Sequence, residues 1–140
     1  MVSKTNISLV HPKEANEEVQ KLYDRIKSIT GRVSPAWRAM AHKPEYMKLA
    51  VEKFSLVHGE TKLDLRSKLL VYLAISIMNN CQGCIYAFTE RLKSLGITDE
   101  EFVELISVID TALGMNTVVN AAGITTEHLQ EAIREAKEQD

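Results

Sequence analysis

The chain has 140 residues, 45% of them hydrophobic, and a formal net charge of −2 at pH 7 from 17 basic and 19 acidic side chains. This length suits one core, and we predict a single domain over residues 1–140. The charges are scattered and form no basic stripe, which excludes nucleic acid as an expected partner. The sequence has neither a signal-peptide pattern nor an uninterrupted apolar run of bilayer length. We therefore expect a cytoplasmic protein that does not bind a membrane.

The stretches between glycine and proline residues repeat apolar side chains at helical period, which predicts an all-α fold of seven or eight helices. A first helix is predicted over 14–30, ending at Gly31, and a short second helix starts at Ser34-Pro35. A third runs from Pro44 to His58. Its residues predicted to face the core are Tyr46, Leu49, Ala50, Phe54 and Val57.

Asp64 is predicted to cap a fourth helix, in which residues 69–78 are apolar on all sides. A domain of this size can hardly cover such a helix completely. It is therefore either a central core helix or part of a subunit interface, and the sequence leaves both open. Asn79 and Asn80 are predicted to form the N-terminal cap of a fifth helix, which Gly96 ends.

Thr98 and Glu101 have the spacing of a capping box, which predicts a sixth helix from Glu100 toward Ala122. A last, charged helix is predicted over residues 126–139, with Leu129 and Ile133 in contact with the body of the domain. The residues of the sixth helix expected to face inward are Phe102, Leu105, Ile106, Ile109, Ala112 and Leu113.

The two cysteines of the chain, Cys81 and Cys84, stand where the fifth helix is predicted to begin. Three positions on a helix correspond to a rotation of about 300°, so both sulfurs can lie on one face and close a disulfide. The start of a helix also favours thiolate over thiol. In a reducing compartment such a pair is more often redox-active or metal-bound than structural. The spacing therefore predicts a candidate redox centre.

Two other interpretations of the cysteine pair remain open. Free cysteines often pack in a core as small hydrophobic residues. A zinc site would need two further ligands, and the histidines at positions 11, 42, 58 and 128 have no spacing that supplies them. No phosphate-binding loop, serine-hydrolase motif or metalloprotease motif is found, so we expect neither a cofactor nor a metal.

Three segments, residues 7–15, 31–45 and 63–98, resemble the carboxymuconolactone decarboxylase / alkylhydroperoxidase D-like family, in particular its peroxidase-related branch. The last is the most specific, because it contains Leu63-Asp-Leu-Arg66, Cys81-x-x-Cys84 and Leu95-Gly-Ile-Thr98. The resemblance implies an all-helical fold with a C-x-x-C helical hairpin and assembly into trimers or hexamers. It also implies thiol-based peroxide reduction or disulfide exchange.

The chain departs from that family at two positions. Redox members carry a glutamate twelve residues before the first cysteine and a histidine four residues after the second, where this chain has Leu69 and Phe88. In such relatives the histidine accepts the proton of the second cysteine, which attacks the peroxide, and the first cysteine then closes the disulfide. Without these groups the preference for Cys84 as nucleophile is lost, and weak activity is expected.

Three other side chains could support the cysteines. Tyr72 and Ser76 share the face of Leu69 on the fourth helix, so their hydroxyls could orient a thiolate. His58 could reach the site across a subunit interface. Each also has an ordinary structural interpretation: a packed tyrosine, a serine bonded to its own helix, and a histidine at a helix C-terminus.

We therefore predict a weak thiol-dependent peroxidase or disulfide oxidoreductase that uses Cys81 and Cys84. Its substrate would be a peroxide or a disulfide, and a thiol reductant would recycle it. The alternative is a non-catalytic or ligand-binding oligomer on the same scaffold, and the third candidate is a decarboxylase-like enzyme. We also predict a homo-oligomer, either a trimer or a hexamer.

Overall fold

The computed structural model describes residues 4–59 and 61–138. These residues form seven α-helices and one short 3-10 helix, Pro12–Glu14, and contain no strand. The all-α prediction is therefore confirmed. The predicted end of the last helix, Gln139, lies outside the described residues. The α-helices are α1 Glu17–Thr30, α2 Pro35–Met40, α3 Pro44–His58, α4 Leu65–Met78, α5 Gln82–Ser94, α6 Asp99–Ala121 and α7 Thr126–Glu138.

The chain divides into two compact units, residues 1–68 and residues 69–140. The first contains α1 to α3 and the first turn of α4, and the second contains the rest of α4 and α5 to α7. The single domain over residues 1–140 stays a prediction.

The first unit has a core between α1 and α3. Val19, Tyr23 and Ile26 of α1 pack with Met47 and Val51 of α3, and all five are almost completely buried. The sequence positions α1 at both ends: the side chain of Asn16 accepts a hydrogen bond from the Val19 N–H at 2.9 Å, and Gly31 has a φ of 79°. The predicted stop at Gly31 is confirmed.

The face of α3 that enters this core agrees only in part with the predicted one: Phe54 packs against the core, as predicted. Met47 and Val51 are buried, whereas Tyr46 and Leu49 are 57% and 66% exposed. Apolar residues occur on two adjacent faces of α3, so the sequence pattern alone does not select between them. The packing of α1 against the Met47–Val51 face decides which one is covered.

Val10, in the segment before α1, forms hydrogen bonds with residues of both α1 and α2. Its carbonyl oxygen accepts hydrogen bonds from the Tyr23 hydroxyl at 2.9 Å and from the Arg38 Nε at 3.3 Å, and its N–H donates to the Arg38 carbonyl at 3.1 Å. Burial raises the pKa of Tyr23, which therefore donates as a neutral phenol. These bonds supply partners for polar groups that the core would otherwise leave unpaired.

The predicted cap of α4 is confirmed, since Asp64 Oδ1 accepts a hydrogen bond from the Ser67 N–H at 2.9 Å. Leu69, Leu73 and Ser76 form the buried face of the helix. On its other side, three large apolar residues are more than half exposed: Val71, Ile75 and Met78. This helix, apolar on all sides, is thus covered on one side only within the chain.

The capping box of α6 is confirmed: the Thr98 hydroxyl accepts from the Glu101 N–H at 3.1 Å, and the Glu101 carboxylate accepts from the Thr98 N–H at 2.9 Å. The predicted burial is only partly right. No residue of α6 or α7 is buried. Of the residues predicted to face inward, three are half-buried: Phe102, Leu105 and Ile109. The others are exposed: Ile106, Ala112, Leu113, Leu129 and Ile133.

The prediction that Leu129 and Ile133 pack against the body is therefore wrong for the single chain, since they are 54% and 56% exposed. Apolar periodicity marks a face that needs covering, but it does not say whether the cover comes from the same chain or from another. One described helix, α6, is long and apolar enough to cross a membrane by length and composition alone, and none of its most apolar stretch is buried. The sequence criterion of an uninterrupted apolar run missed it because Asp110 interrupts the run.

Candidate redox site

The site begins at the turn that joins α4 to α5. Asn80 has a positive φ of 51°, its N–H donates to the Ile77 carbonyl at 3.0 Å, and the Cys81 N–H donates to the Ser76 carbonyl at 3.0 Å. This pair of bonds around a left-handed residue is the Schellman motif, which ends a helix. Asn80 therefore terminates α4, and the prediction that the two asparagines cap α5 is wrong. Asparagine suits both positions, so residue type alone does not distinguish them.

Cys81 itself is the N-cap residue of α5, and Cys84 lies in the first turn. The two sulfurs are joined in a disulfide, with the Cα atoms 5.2 Å apart, and both cysteines are half-buried. The first turn of α5 contains no acidic residue, and the N-cap side chain accepts no hydrogen bond. The pair thus stands at the positive end of a 13-residue helix with no negative charge in that turn to offset it.

The two positions that depart from the family pattern have apolar surroundings. Leu69 is 1% exposed and belongs to the buried face of α4. Phe88 lies one turn after Cys84 on α5, and its ring stacks on that of Tyr72, with centroids 4.8 Å apart and an angle of 19° between the planes. An aromatic stack therefore occupies the position four residues after Cys84, where the resemblance implies a histidine.

Of the proposed supporting residues, Ser76 and Tyr72 are both engaged in packing. Ser76 is 6% exposed, and its hydroxyl donates to the Tyr72 carbonyl at 2.6 Å, the bond expected for a serine inside a helix. Burial raises the pKa of Tyr72, so the phenol stays protonated at neutral pH. Neither hydroxyl is therefore suited to remove a proton from a thiol.

His58 lies in the first unit, in the last turn of α3. Its ring stacks on Phe54 with centroids 3.7 Å apart, and its Nδ1 is 3.2 Å from the Phe54 carbonyl oxygen. This is the interaction of a histidine at a helix C-terminus. Its proposed role beside the cysteines stays a prediction.

One residue of α5 was missed by the sequence analysis. The hydroxyl oxygen of Thr89 is buried and has no hydrogen-bond partner among the described residues. A buried hydroxyl normally has a partner, and a threonine inside a helix usually bonds to the carbonyl four residues earlier. The sequence did contain a signal for it: Thr89 is a polar residue that shares a helical face with Ile85 and Leu92.

No metal centre accompanies the cysteines: within residues 4–59 and 61–138, no group of three or more His, Cys, Asp or Glu side chains is placed to hold an ion. A shallow groove of about 540 Å³ lies elsewhere, between α1 and α3 of the first unit, and contains no cysteine. The disulfide at the start of α5 is therefore the candidate site within the described residues.

The sequence matches a known family, and the fold matches a solved structure. Residues 44–136 match the model of the carboxymuconolactone decarboxylase family, which is well over half of the chain. The chain belongs to this family. Its structure is similar to that of the alkylhydroperoxidase AhpD core from Rhodospirillum rubrum, with a TM-score of 0.81 and 27% identity, over 89% of this chain and 95% of that one. No curated protein matches the sequence. The predicted family and fold are confirmed.

Proposed function

We propose that this member of the family is a thiol–disulfide redox protein whose Cys81 and Cys84 cycle between a dithiol and a disulfide. The observation that carries this proposal is the disulfide at the start of α5. Its Cα separation of 5.2 Å lies within the range that a disulfide spans without moving the backbone. Both cysteines are partly exposed, so a small oxidant or a thiol can reach them.

The proposed substrate is a peroxide or a disulfide. One thiolate attacks a peroxide oxygen, the O–O bond breaks, and the alkoxide or hydroxide leaves and takes up a proton. The second thiol then attacks the sulfenic sulfur, and water leaves as the disulfide forms. A dithiol reductant restores both thiols and is itself oxidised to a disulfide. We propose the cytoplasm as the location, where such reductants are available.

The absence of the family's glutamate and histidine leads us to expect slow turnover. A positioned general base typically contributes 10²- to 10⁴-fold to a rate. Leu69 and Phe88 provide no such base, and Tyr72 and Ser76 are held in packing roles. Peroxide consumption by the wild type should therefore fall well below that of relatives with both groups.

The first experiment is to count free thiols after mild reduction and again after oxidation, and to follow peroxide consumption with a dithiol reductant. Two thiols should appear on reduction and disappear on oxidation. Single serine variants of Cys81 and Cys84 are matched controls, because each retains one thiol and neither can form the internal disulfide. Two thiols that stay unreactive in the folded protein would overturn the redox proposal.

The second experiment restores the missing groups with Leu69→Glu and Phe88→His together. Peroxidase activity should rise, because an imidazole one turn after Cys84 can accept its proton. Each introduced polar group without a partner costs about 1–3 kcal/mol, and the Tyr72–Phe88 stack is lost, so thermal melting must precede the comparison. Wild-type turnover already equal to that of relatives with the glutamate and the histidine would contradict the expected slowness.

A second candidate is a non-catalytic or ligand-binding oligomer on the same scaffold. The stacking of Tyr72 on Phe88 supports it, since this contact fills the position of the proton acceptor. A well-folded double variant without any gain in activity would favour this candidate. The decarboxylase-like alternative has the family description in its favour. It would need polar groups at the positions that Leu69 and Phe88 occupy.

A further inference from the structure

The two cysteines of the redox pair have different positions on α5. Cys81 is the N-cap residue, with φ −86° and ψ 87°, and Cys84 is the third residue of the helix proper. An N-cap side chain projects over the N–H groups of the first turn, whereas a side chain in the turn itself lies on the flank of the helix. The two sulfurs therefore differ in access to those N–H groups once the disulfide opens.

Two other helices of this protein show what an N-cap side chain reaches. The Asn16 oxygen accepts from the Val19 N–H at 2.9 Å, and the Thr98 hydroxyl accepts from the Glu101 N–H at 3.1 Å. In both, the donor is the third residue of the helix. The equivalent donor for Cys81 is the N–H of Cys84, and in the disulfide form the Cys81 side chain accepts no capping bond. A Cys81 thiolate can fill that role after reduction.

The residue one turn after Cys84 is apolar and offers neither a charge nor a base. This residue, Phe88, is stacked on Tyr72, and the Ser76 hydroxyl is bonded to the Tyr72 carbonyl. A Cβ placed at Gly83, between the two cysteines, would meet no atom within 4 Å. The first turn is therefore open beside the pair, and a substrate can approach it.

We propose that Cys81, not Cys84, is the attacking thiolate, which reverses the order that a histidine after the second cysteine would impose. This assignment rests on the proposed redox function. Cys81 attacks the peroxide, the O–O bond breaks and the alkoxide leaves with a proton. The Cys84 thiol then attacks the sulfenic sulfur of Cys81 and releases water, and a dithiol reductant reopens the bond. With a disulfide substrate, the mixed disulfide forms on Cys81 and Cys84 resolves it.

The test compares Cys84→Ser, which retains Cys81, with Cys81→Ser, which retains Cys84. Serine is a good N-cap residue, so the second variant should keep α5, and circular dichroism of both checks the fold. Alkylation by iodoacetamide is followed against pH. For Cys81 the midpoint should lie at least about one pH unit lower, which gives roughly tenfold more thiolate at pH 7. An equal midpoint, or a lower one for Cys84, would overturn the assignment.

Sulfenic acid trapping separates this assignment from the proposed function. With hydrogen peroxide and dimedone, the Cys84→Ser protein should give the trapped adduct on Cys81, and the Cys81→Ser protein should give far less. If the wild type consumes peroxide and only the Cys81→Ser protein gives the adduct, the function stands and the assignment fails. If the wild type consumes no peroxide, exchanges with no small disulfide and gives no adduct, the function fails, while the alkylation midpoints still decide which thiol ionises first.

Discussion

The two units of the chain differ in how far each covers its own apolar side chains. In residues 1–68, α1 and α3 close a core around Tyr23, Ile26 and Met47. In residues 69–140, no residue of α6 or α7 is buried, although large apolar side chains occur along both helices. Monomeric soluble proteins rarely leave an extended apolar surface in water. The comparison leads us to expect that the second unit is the one covered by another copy of the chain.

This difference bears on the redox site, because the cysteine pair belongs to the second unit. The helix before the pair, α4, has both buried and exposed apolar residues, such as Leu73 and Ile75. A subunit that covers the exposed face would remove water from around α4 and α5. The predicted homo-oligomer and the proposed chemistry are therefore best tested on the same variants.

The largest expected effect is loss of assembly on Val108→Glu. Val108 lies on α6 and is 65% exposed in the single chain, so a carboxylate there costs little in the monomer. Buried at an interface without a partner, the same charge costs several kcal/mol, and association should weaken by about 100-fold or more. Light scattering should show a trimer or hexamer for the wild type and a smaller species for the variant.

The matched control is Leu56→Glu on α3. Leu56 is 76% exposed, but it lies in the unit that has its own core. This variant should keep the wild-type size. If Leu56→Glu dissociates the oligomer and Val108→Glu does not, the first unit, and not the second, is the one that another copy covers. A monodisperse wild-type monomer that sediments with lipid vesicles would instead assign α6 to a membrane surface.

The next effect compares two positions on α4. Leu73 is completely buried, so Leu73→Ala should lower the free energy of unfolding by about 2–5 kcal/mol at every protein concentration. Ile75 is 52% exposed, so Ile75→Ala should cost much less in a dissociated chain. If Ile75 lies in an interface, its cost should grow with protein concentration. Urea unfolding at two concentrations measures both, and equal costs for the two variants in dilute solution would contradict the described burial.

The sequence predicted the ends of the helices better than it predicted which of their faces are buried. Helix ends marked by Gly31, Asp64 and Thr98 were predicted because each satisfies backbone groups within a few residues along the chain. The start of α1 was predicted at residue 14, whereas Asn16 is the N-cap and the helix begins at Glu17. The turn at Asn80 was assigned to the wrong helix, since asparagine suits both an N-cap and a left-handed C-terminal position. Local chemistry thus predicted most boundaries but not this one.

The faces of the helices were harder to predict. On α3 the core takes Met47 and Val51 rather than Tyr46 and Leu49, because a contact with α1 selects between two apolar faces. At the site, the C-x-x-C spacing predicted the disulfide pair. The Tyr72–Phe88 stack depends on contacts that periodicity does not specify, and so does the Thr89 hydroxyl, which has no partner among the described residues.

A smaller effect is expected at two glycines of the second unit. Gly96 has a φ of 81°, so Gly96→Ala should destabilise by about 1–2 kcal/mol through the backbone alone. Gly114 lies inside α6, and a Cβ there meets no atom of the chain within 4 Å. In the dissociated Val108→Glu background, Gly114→Ala should therefore stabilise by about 0.5–1 kcal/mol. If Gly114→Ala instead lowers the stability of the oligomer, a neighbouring subunit lies against Gly114.

The smallest effect concerns the cap of α4, the helix that passes from the first unit to the second. Hydrogen bonds from the hydroxyl and the N–H of Ser67 hold the pKa of Asp64 below its ordinary value of about 3.8. The folded state therefore binds this proton less readily than the unfolded chain. The stabilisation is complete above the unfolded pKa and is lost as the pH falls through the folded value.

Two variants separate the charge of Asp64 from its capping role. Asp64→Asn keeps an acceptor for the Ser67 N–H but cannot titrate, whereas Asp64→Ala removes the acceptor as well. Urea unfolding between about pH 6 and about pH 2 should show the wild-type advantage over Asp64→Asn shrinking as the pH falls, with Asp64→Ala the least stable of the three at high pH. A difference between wild type and Asp64→Asn that does not change with pH would mean that the Ser67 bonds do not favour the ionised carboxylate. The cap would then act through geometry alone, and the start of α4 would be equally stable in both protonation states.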